Sequence, residues 1–208
     1  MLLKCVPVKD VLDVNSYFYI NEKTKRGFLI DPGAEPNTLI EIIKTNNWII
    51  EKILLTHGHF DHIGAVEKIS ATLNIPYFIH LNGARYLLDC DFNLSVIYCG
   101  HEIVLKDANY FHDGDILSTD DLKLRVIHTP GHTSDSVIFY DADNNIAFSG
   151  DTIFRGAVGT VDVPGGDREF LRHSIVNRIF SLPDNTILYP GHSESTDIFT
   201  EKKRYGII

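Results

Sequence analysis

The chain has 208 residues, 44% of them hydrophobic, which is enough for one domain with a buried core, expected to span residues 1–208. Its 28 Asp and Glu against 19 Lys and Arg give a formal charge of −9, an acidic balance that argues against a nucleic-acid partner. No apolar run approaches the ~18 residues of a membrane span, and the opening Met1-Leu2-Leu3-Lys4-Cys5-Val6-Pro7 is too short for a secretory leader, so a soluble cytoplasmic protein with no membrane partner is expected. Strands are predicted at Leu3 to Val8, Ser16 to Ile20 and Gly27 to Ile30, the last two joined by the polar turn Asn21 to Arg26. Pro36 suits a first helical position, and Leu39, Ile40, Ile42 and Ile43 follow at helical spacing. Apolar Lys52-Ile53-Leu54-Leu55 predicts a buried strand, and Gly64 to Ile69 the start of a helix. A strand at Tyr77 to His80 and a short helical stretch from Gly83 to Leu88 come next. From Asp113 the mixture repeats, with strands at Leu122 to Ile127, Val137 to Tyr140 and Ile146 to Phe148 and a helix from Arg168 to Phe180. Periodicity by itself gives only α/β or α+β.

Between the fourth predicted strand and the helix after it lies Thr56-His57-Gly58-His59-Phe60-Asp61-His62, three imidazoles and a carboxylate in six positions. Neutral imidazole suits zinc and similar divalent ions, and carboxylate completes a mixed site. One run cannot wrap an ion, so distant segments must supply further ligands. His132 follows Pro130-Gly131, Asp151 follows Ser149-Gly150 and His192 follows Pro190-Gly191, each after an apolar run. Glycine lets a chain leave a strand sharply and turn the next side chain into a site. The ligands are therefore expected at the carboxyl ends of strands, where open sheets of this kind bind ligands. The three cysteines, Cys5, Cys90 and Cys99, are odd in number and lack metal-type spacing, so they are expected as reduced thiols.

These motifs resemble the metallo-β-lactamase superfamily, whose His-x-His-x-Asp-His run, lone His, bridging Asp and final His all occur here in order. The resemblance covers almost the whole chain and implies an α+β fold, the αββα sandwich of two mixed sheets between outer helices. It also implies two divalent metal ions, zinc in the first instance, with iron or manganese as alternatives. Carried over residue by residue, it assigns His57, His59 and His132 to one ion and Asp61, His62 and His192 to the other, with Asp151 bridging and Asp61 and Asp151 serving catalysis. Asp31, in Leu29-Ile30-Asp31-Pro32-Gly33, matches a further family position and is read as supporting the ligands or forming a turn. His128, four residues before His132, is a weaker candidate for such support. His80, His101, His112 and His173 are expected to be ordinary surface or core histidines.

The segment Gly150 to Asp167, ending Pro164-Gly165-Gly166-Asp167, is similar to the short bacterial forms of glyoxalase II (hydroxyacylglutathione hydrolase). That likeness implies a small-molecule substrate, an acyl thioester such as S-lactoylglutathione, opened by a hydroxide held between the metals. A thiolate leaves with a pKa near 8.5, so no strong general acid is needed. Thr160 stands where that branch has Arg, and only 16 residues follow His192 in place of a helical extension. Arg155 is the candidate for substrate binding, with Lys202, Lys203 and Arg204 beside it. Rival readings on the same scaffold are a persulfide dioxygenase using iron on His57, His132 and Asp151, a lactone or β-lactam hydrolase, and a metal-stabilised domain without catalysis.

Overall fold

A computed structural model describes residues 1–207. The first half runs β1 (Leu2–Lys9), β2 (Asp13–Ile20), β3 (Arg26–Ile30), α1 (Pro36–Thr45), β4 (Ile49–Leu54), α2 (Phe60–Ile63), α3 (Val66–Leu73), β5 (Tyr77–His80), α4 (Ala84–Leu88), α5 (Ser95–Cys99) and β6 (Asn109–Phe111). Its six strands form one sheet in the order β1-β2-β3-β4-β5-β6, antiparallel at the first two pairings and parallel from β3 onward. The second half runs β7 (Ile116–Thr119), β8 (Leu122–His128), β9 (Val137–Asp141), β10 (Ile146–Gly150), the small hairpin β11 (Ile153–Phe154) and β12 (Ala157–Val158), α6 (Arg168–His173), β13 (Ile187–Pro190), β14 (Thr196–Asp197) and α7 (Ile198–Arg204). Its sheet has the order β14-β13-β10-β9-β8-β7, with β10 and β13 parallel and the other pairs antiparallel.

Alternating side chains put the central strands in two cores at once. Tyr17 and Tyr19 of β2, Phe28 and Ile30 of β3 and Leu54 of β4 meet Leu124 and Val126 of β8, Phe139 of β9 and Phe148 of β10 between the sheets. The intervening Phe18, Ile20, Leu29 and Ile53 face Leu39, Ile40 and Ile43 of α1 and Val66 and Ile69 of α3. Across the molecule, Ile127, Ile138, Tyr140 and Ala147 face Leu171, Ile175, Ile179 and Ile198. The layers are therefore helix, sheet, sheet, helix, the α+β sandwich expected from the motifs.

Two expectations needed adjustment. The helix expected over Arg168 to Phe180 is α-helical only to His173, and Ser174–Ile179 is wound as a π-helix, with the Phe180 amide donating to the Ile175 carbonyl at 2.9 Å. Leu171, Ile175 and Ile179, spaced by four, point into the core in both forms, so periodicity does not separate them. Phe170, beside Leu171 on α6, is exposed. The helix expected from Gly64 is α3, starting at Val66, and a separate single turn not expected from the sequence, α2, precedes it and carries Asp61 and His62.

Phe139 is fully buried between the sheets, and its ring meets that of Phe111 edge-on at 5.6 Å. Phe139→Ala should lower unfolding free energy by about 3–5 kcal/mol in urea titrations. A loss under about 1 kcal/mol would contradict the inter-sheet core described above.

Candidate metal centre

All seven ligand-type residues expected from the motifs meet at one end of the sandwich. His57 and His59 follow the carboxyl end of β4, and Asp61 and His62 lie on the one-turn α2. His132 follows β8, Asp151 follows β10 and His192 follows β13. Two of the turns depend on glycine. Gly131 has φ +141°, and a Cβ there would lie 2.2 Å from the Leu171 backbone, so α6 can seat directly on the turn before His132. At Gly191 the demand is for space: a Cβ would stand 2.3 Å from Asp151 Oδ1 and 2.5 Å from the His62 ring.

The donor atoms form three overlapping trios: His57, His59 and His132; His57, His62 and Asp151; Asp61, His62 and His192. Within each trio they lie within 4.8 Å of one another. His59 Nδ1 is 3.2 Å from His57 Nε2 and 3.0 Å from His132 Nε2. Ligands about 2.0–2.1 Å from a tetrahedral zinc ion are about 3.3 Å apart, so these separations are close to the edges of a coordination polyhedron. On the other side His192 Nε2 is 3.2 Å from Asp61 Oδ2 and 3.3 Å from Asp151 Oδ2. His62 Nε2 lies 3.3 Å from Asp151 Oδ1, yet neither atom has a hydrogen bond and both are buried. Buried polar atoms aimed at one another without bonding are what a divalent ion would satisfy.

The outer nitrogens fix which atom each ring turns inward. His132 Nδ1 donates to the Thr160 carbonyl at 2.7 Å, and His192 Nδ1 donates to the Asp13 carbonyl at 2.5 Å. His62 Nδ1 is 3.0 Å from Asp31 Oδ2. Asp31 also accepts from the Thr56 amide at 2.8 Å and the Thr56 hydroxyl at 2.7 Å, and that hydroxyl is 3.2 Å from His57 Nδ1. Four rings thus present Nε2 to the cluster. His59 presents Nδ1, and its Nε2 is buried without a partner. Asp31 supports the ligands and sits in a turn, with φ +48°.

Charge divides the cluster. Burial, followed by the neighbouring imidazoles, holds His57 well below the usual histidine range and His59 at about 3; burial also lowers His132. These rings stay neutral and keep a lone pair for an ion. At His62 burial works the same way but is outweighed by Asp151, Asp61 and Asp31, and its pKa is raised well above the usual value. Hydrogen bonds to Asp151 and Asp61 likewise overcome burial at His192 and push it up to about 10. Burial opposes ionisation of Asp61 and Asp151 as well, yet His62 and His192 keep both below the ordinary carboxylate range.

Other candidates are placed differently. Arg155 is exposed and pairs with Glu194, Lys202 with Asp184 at 2.5 Å, and Arg204 with the buried Glu201 at 2.6 Å. Thr160 contributes its carbonyl to His132 and needs no particular side chain for that. His128 stacks on His80 with centroids 4.1 Å apart and its Nε2 meets the Ser134 carbonyl, so it touches no ligand. Cys5, Cys90 and Cys99 are free thiols. Sequence reasoning missed Tyr86, whose ring backs Gly58 and whose hydroxyl donates to the Pro164 carbonyl at 3.0 Å. It also missed Asn15, whose side-chain amide holds the Pro190 and Ser193 carbonyls on either side of His192. Neither carries a motif.

An αββα sandwich with such a cluster at its strand ends defines a metal-dependent hydrolase scaffold. The chain belongs to the metallo-beta-lactamase superfamily, whose family model matches residues 10–192. It is 31% identical over 209 residues to hydroxyacylglutathione hydrolase GloC of Haemophilus influenzae, covering 98% of this chain and 96% of that one. Among solved structures, BLEG-1 B3 metallo-beta-lactamase superposes with a TM-score of 0.91 at 34% identity, covering 97% of each chain. TTHA1623, solved in a di-iron-bound form, gives 0.87 at 33% identity and covers 99% of this chain and all of its own.

Asp31→Ala removes no ligand but frees the His62 ring and strands the Thr56 amide. Its affinity for zinc, read by competition with a chromophoric chelator, should fall about 10- to 100-fold. Unchanged affinity would show that His62 is oriented without Asp31.

Proposed function

We propose that the chain is a dinuclear hydrolase of acyl thioesters, acting on a small-molecule substrate such as S-lactoylglutathione. One observation carries the proposal: six buried imidazole and carboxylate side chains and the partly exposed His192 converge as overlapping trios, with Asp151 reaching both His62 and His192. The similarity to GloC supports the thioester as substrate. Zinc is the ion we favour on a purely nitrogen and oxygen donor set, with iron or manganese as alternatives.

Two bound cations would supply an acidified water and a Lewis acid for the substrate carbonyl. The chain's own part is positioning and charge. Asp151 spans the two halves of the cluster. Asp61, kept ionised between His62 and His192, is the carboxylate placed to take the proton of the attacking water. His192 is the most exposed of the seven, so the cluster is reached from its side. Phe154, with its ring 5.9 Å from that of His192, and Arg155 beside it form a rim there. A substrate carboxylate meeting Arg155 must compete with Glu194. Departure of a thiolate asks for no general acid, whereas an amine leaving group would. The free thiols agree with a cytoplasmic location, and among the described residues no helix is long and apolar enough to cross a membrane.

Zinc-loaded protein should release free thiol from S-lactoylglutathione, and a chelator should abolish the release. Hydrolysis of a chromogenic β-lactam with no thioester cleavage would replace this reading with a lactamase. Oxygen consumption by the iron-loaded protein on glutathione persulfide, again with no thioester cleavage, would replace it with an oxygenase.

A further inference from the structure

Asp135 lies just beyond the His132 turn and is fully buried, and neither carboxylate oxygen makes a hydrogen bond of good geometry. Its Oδ2 is wedged beneath the ligand run: a Cβ on Gly58 would lie 3.5 Å from it, and one on Gly83 would lie 3.0 Å away. The groups that favour its anion are the Thr133 hydroxyl and the amides of Asp135 and Gly58; Thr133 is itself engaged with Ser136 at 2.6 Å. Among the described residues no Lys or Arg pairs with Asp135. Burial therefore dominates and raises its pKa to about 7.

An unpaired buried carboxyl is expensive, and proteins keep such groups mainly where a charge is offset by a partner or a metal. The nearest place for such a charge is the cluster directly above Gly58, whose first trio consists entirely of neutral imidazoles. Three neutral nitrogens leave most of the charge of a divalent ion uncompensated on that side, where Asp61 is absent from the trio and the shared Asp151 stands 3.8 Å from His132 Nε2. Asp135 is the acidic group that the fold places behind this neutral trio.

We propose that Asp135 is a positioning residue that packs beneath the Gly58 turn and lends negative charge to a cation held by His57, His59 and His132. The proposal rests on the reading of the cluster as a metal centre. It predicts that charge matters at position 135 beyond the space filled there. Asp135→Asn keeps the shape but not the charge, and Asp135→Ala removes both.

The test is zinc titration by calorimetry on wild type and both variants, with thermal melting of the metal-free proteins alongside. We expect wild type to bind two ions, Asp135→Asn to lose 10-fold or more in affinity at one site, and Asp135→Ala to lose at least as much, while metal-free Asp135→Asn still melts cooperatively. Asn at wild-type affinity, whatever Ala does, would overturn the proposal, because a role in packing alone tolerates Asn. Should Asn fail to fold, wild-type affinity in Ala would overturn it equally. A wild type that binds no zinc would instead remove the metal reading on which it depends.

Discussion

Five imidazoles and two carboxylates packed within a few ångströms, mostly out of water, form a cluster whose polar atoms are not all satisfied by hydrogen bonds. His62 Nε2 and Asp151 Oδ1 are buried, adjacent and unbonded, and three imidazole nitrogens converge on one point with their lone pairs. In one half the neighbouring carboxylates favour the charged forms of His62 and His192, which relieves part of the strain there. The other half, His57, His59 and His132, has no such relief and is kept neutral by burial. A cation would satisfy both halves, and the rest of the architecture holds the ligand-type side chains in place.

That service comes from strand ends. β4, β8, β10 and β13 are anchored on both faces, so the residues immediately after them inherit little freedom. The outer hydrogen bonds then choose the tautomers, two of them through the backbone carbonyls of Asp13 and Thr160 and two through the side chains of Asp31 and Thr56. Asp167 ties two layers together: its amide donates to the Gly131 carbonyl at 2.7 Å, while its side chain caps α6 through the Phe170 amide at 2.9 Å. The Pro164 to Asp167 segment thus works as a brace behind His132, with Tyr86 bonded to the Pro164 carbonyl.

The parts of this arrangement that were legible in the sequence are those carried by local pattern. The histidine run announces itself, and Gly131, Gly150 and Gly191 mark the turns because each precedes a ligand after an apolar strand. Strands with two buried faces read clearly from Phe18, Leu29 and Ile53. What stayed hidden depends on tertiary distance. Nothing near Arg155 reveals Glu194, 39 residues on, and nothing near Thr160 shows that its carbonyl, not its side chain, meets His132. Asp135 looks like a polar turn residue in Thr133-Ser134-Asp135-Ser136, and only packing against Gly58 and Gly83 shows it buried. The π-helical turn after His173 is invisible for a different reason, since apolar residues four apart suit both windings.

The account stands on two ions sharing seven nitrogen and oxygen ligands, and X-ray absorption spectroscopy of zinc-loaded protein addresses that directly. It predicts a first shell of nitrogen and oxygen at about 2.0–2.2 Å with multiple imidazole scattering and no sulfur, together with a metal–metal vector at about 3.5–4 Å. A sulfur shell near 2.3 Å, or a single ion with no metal neighbour at full occupancy, would contradict it.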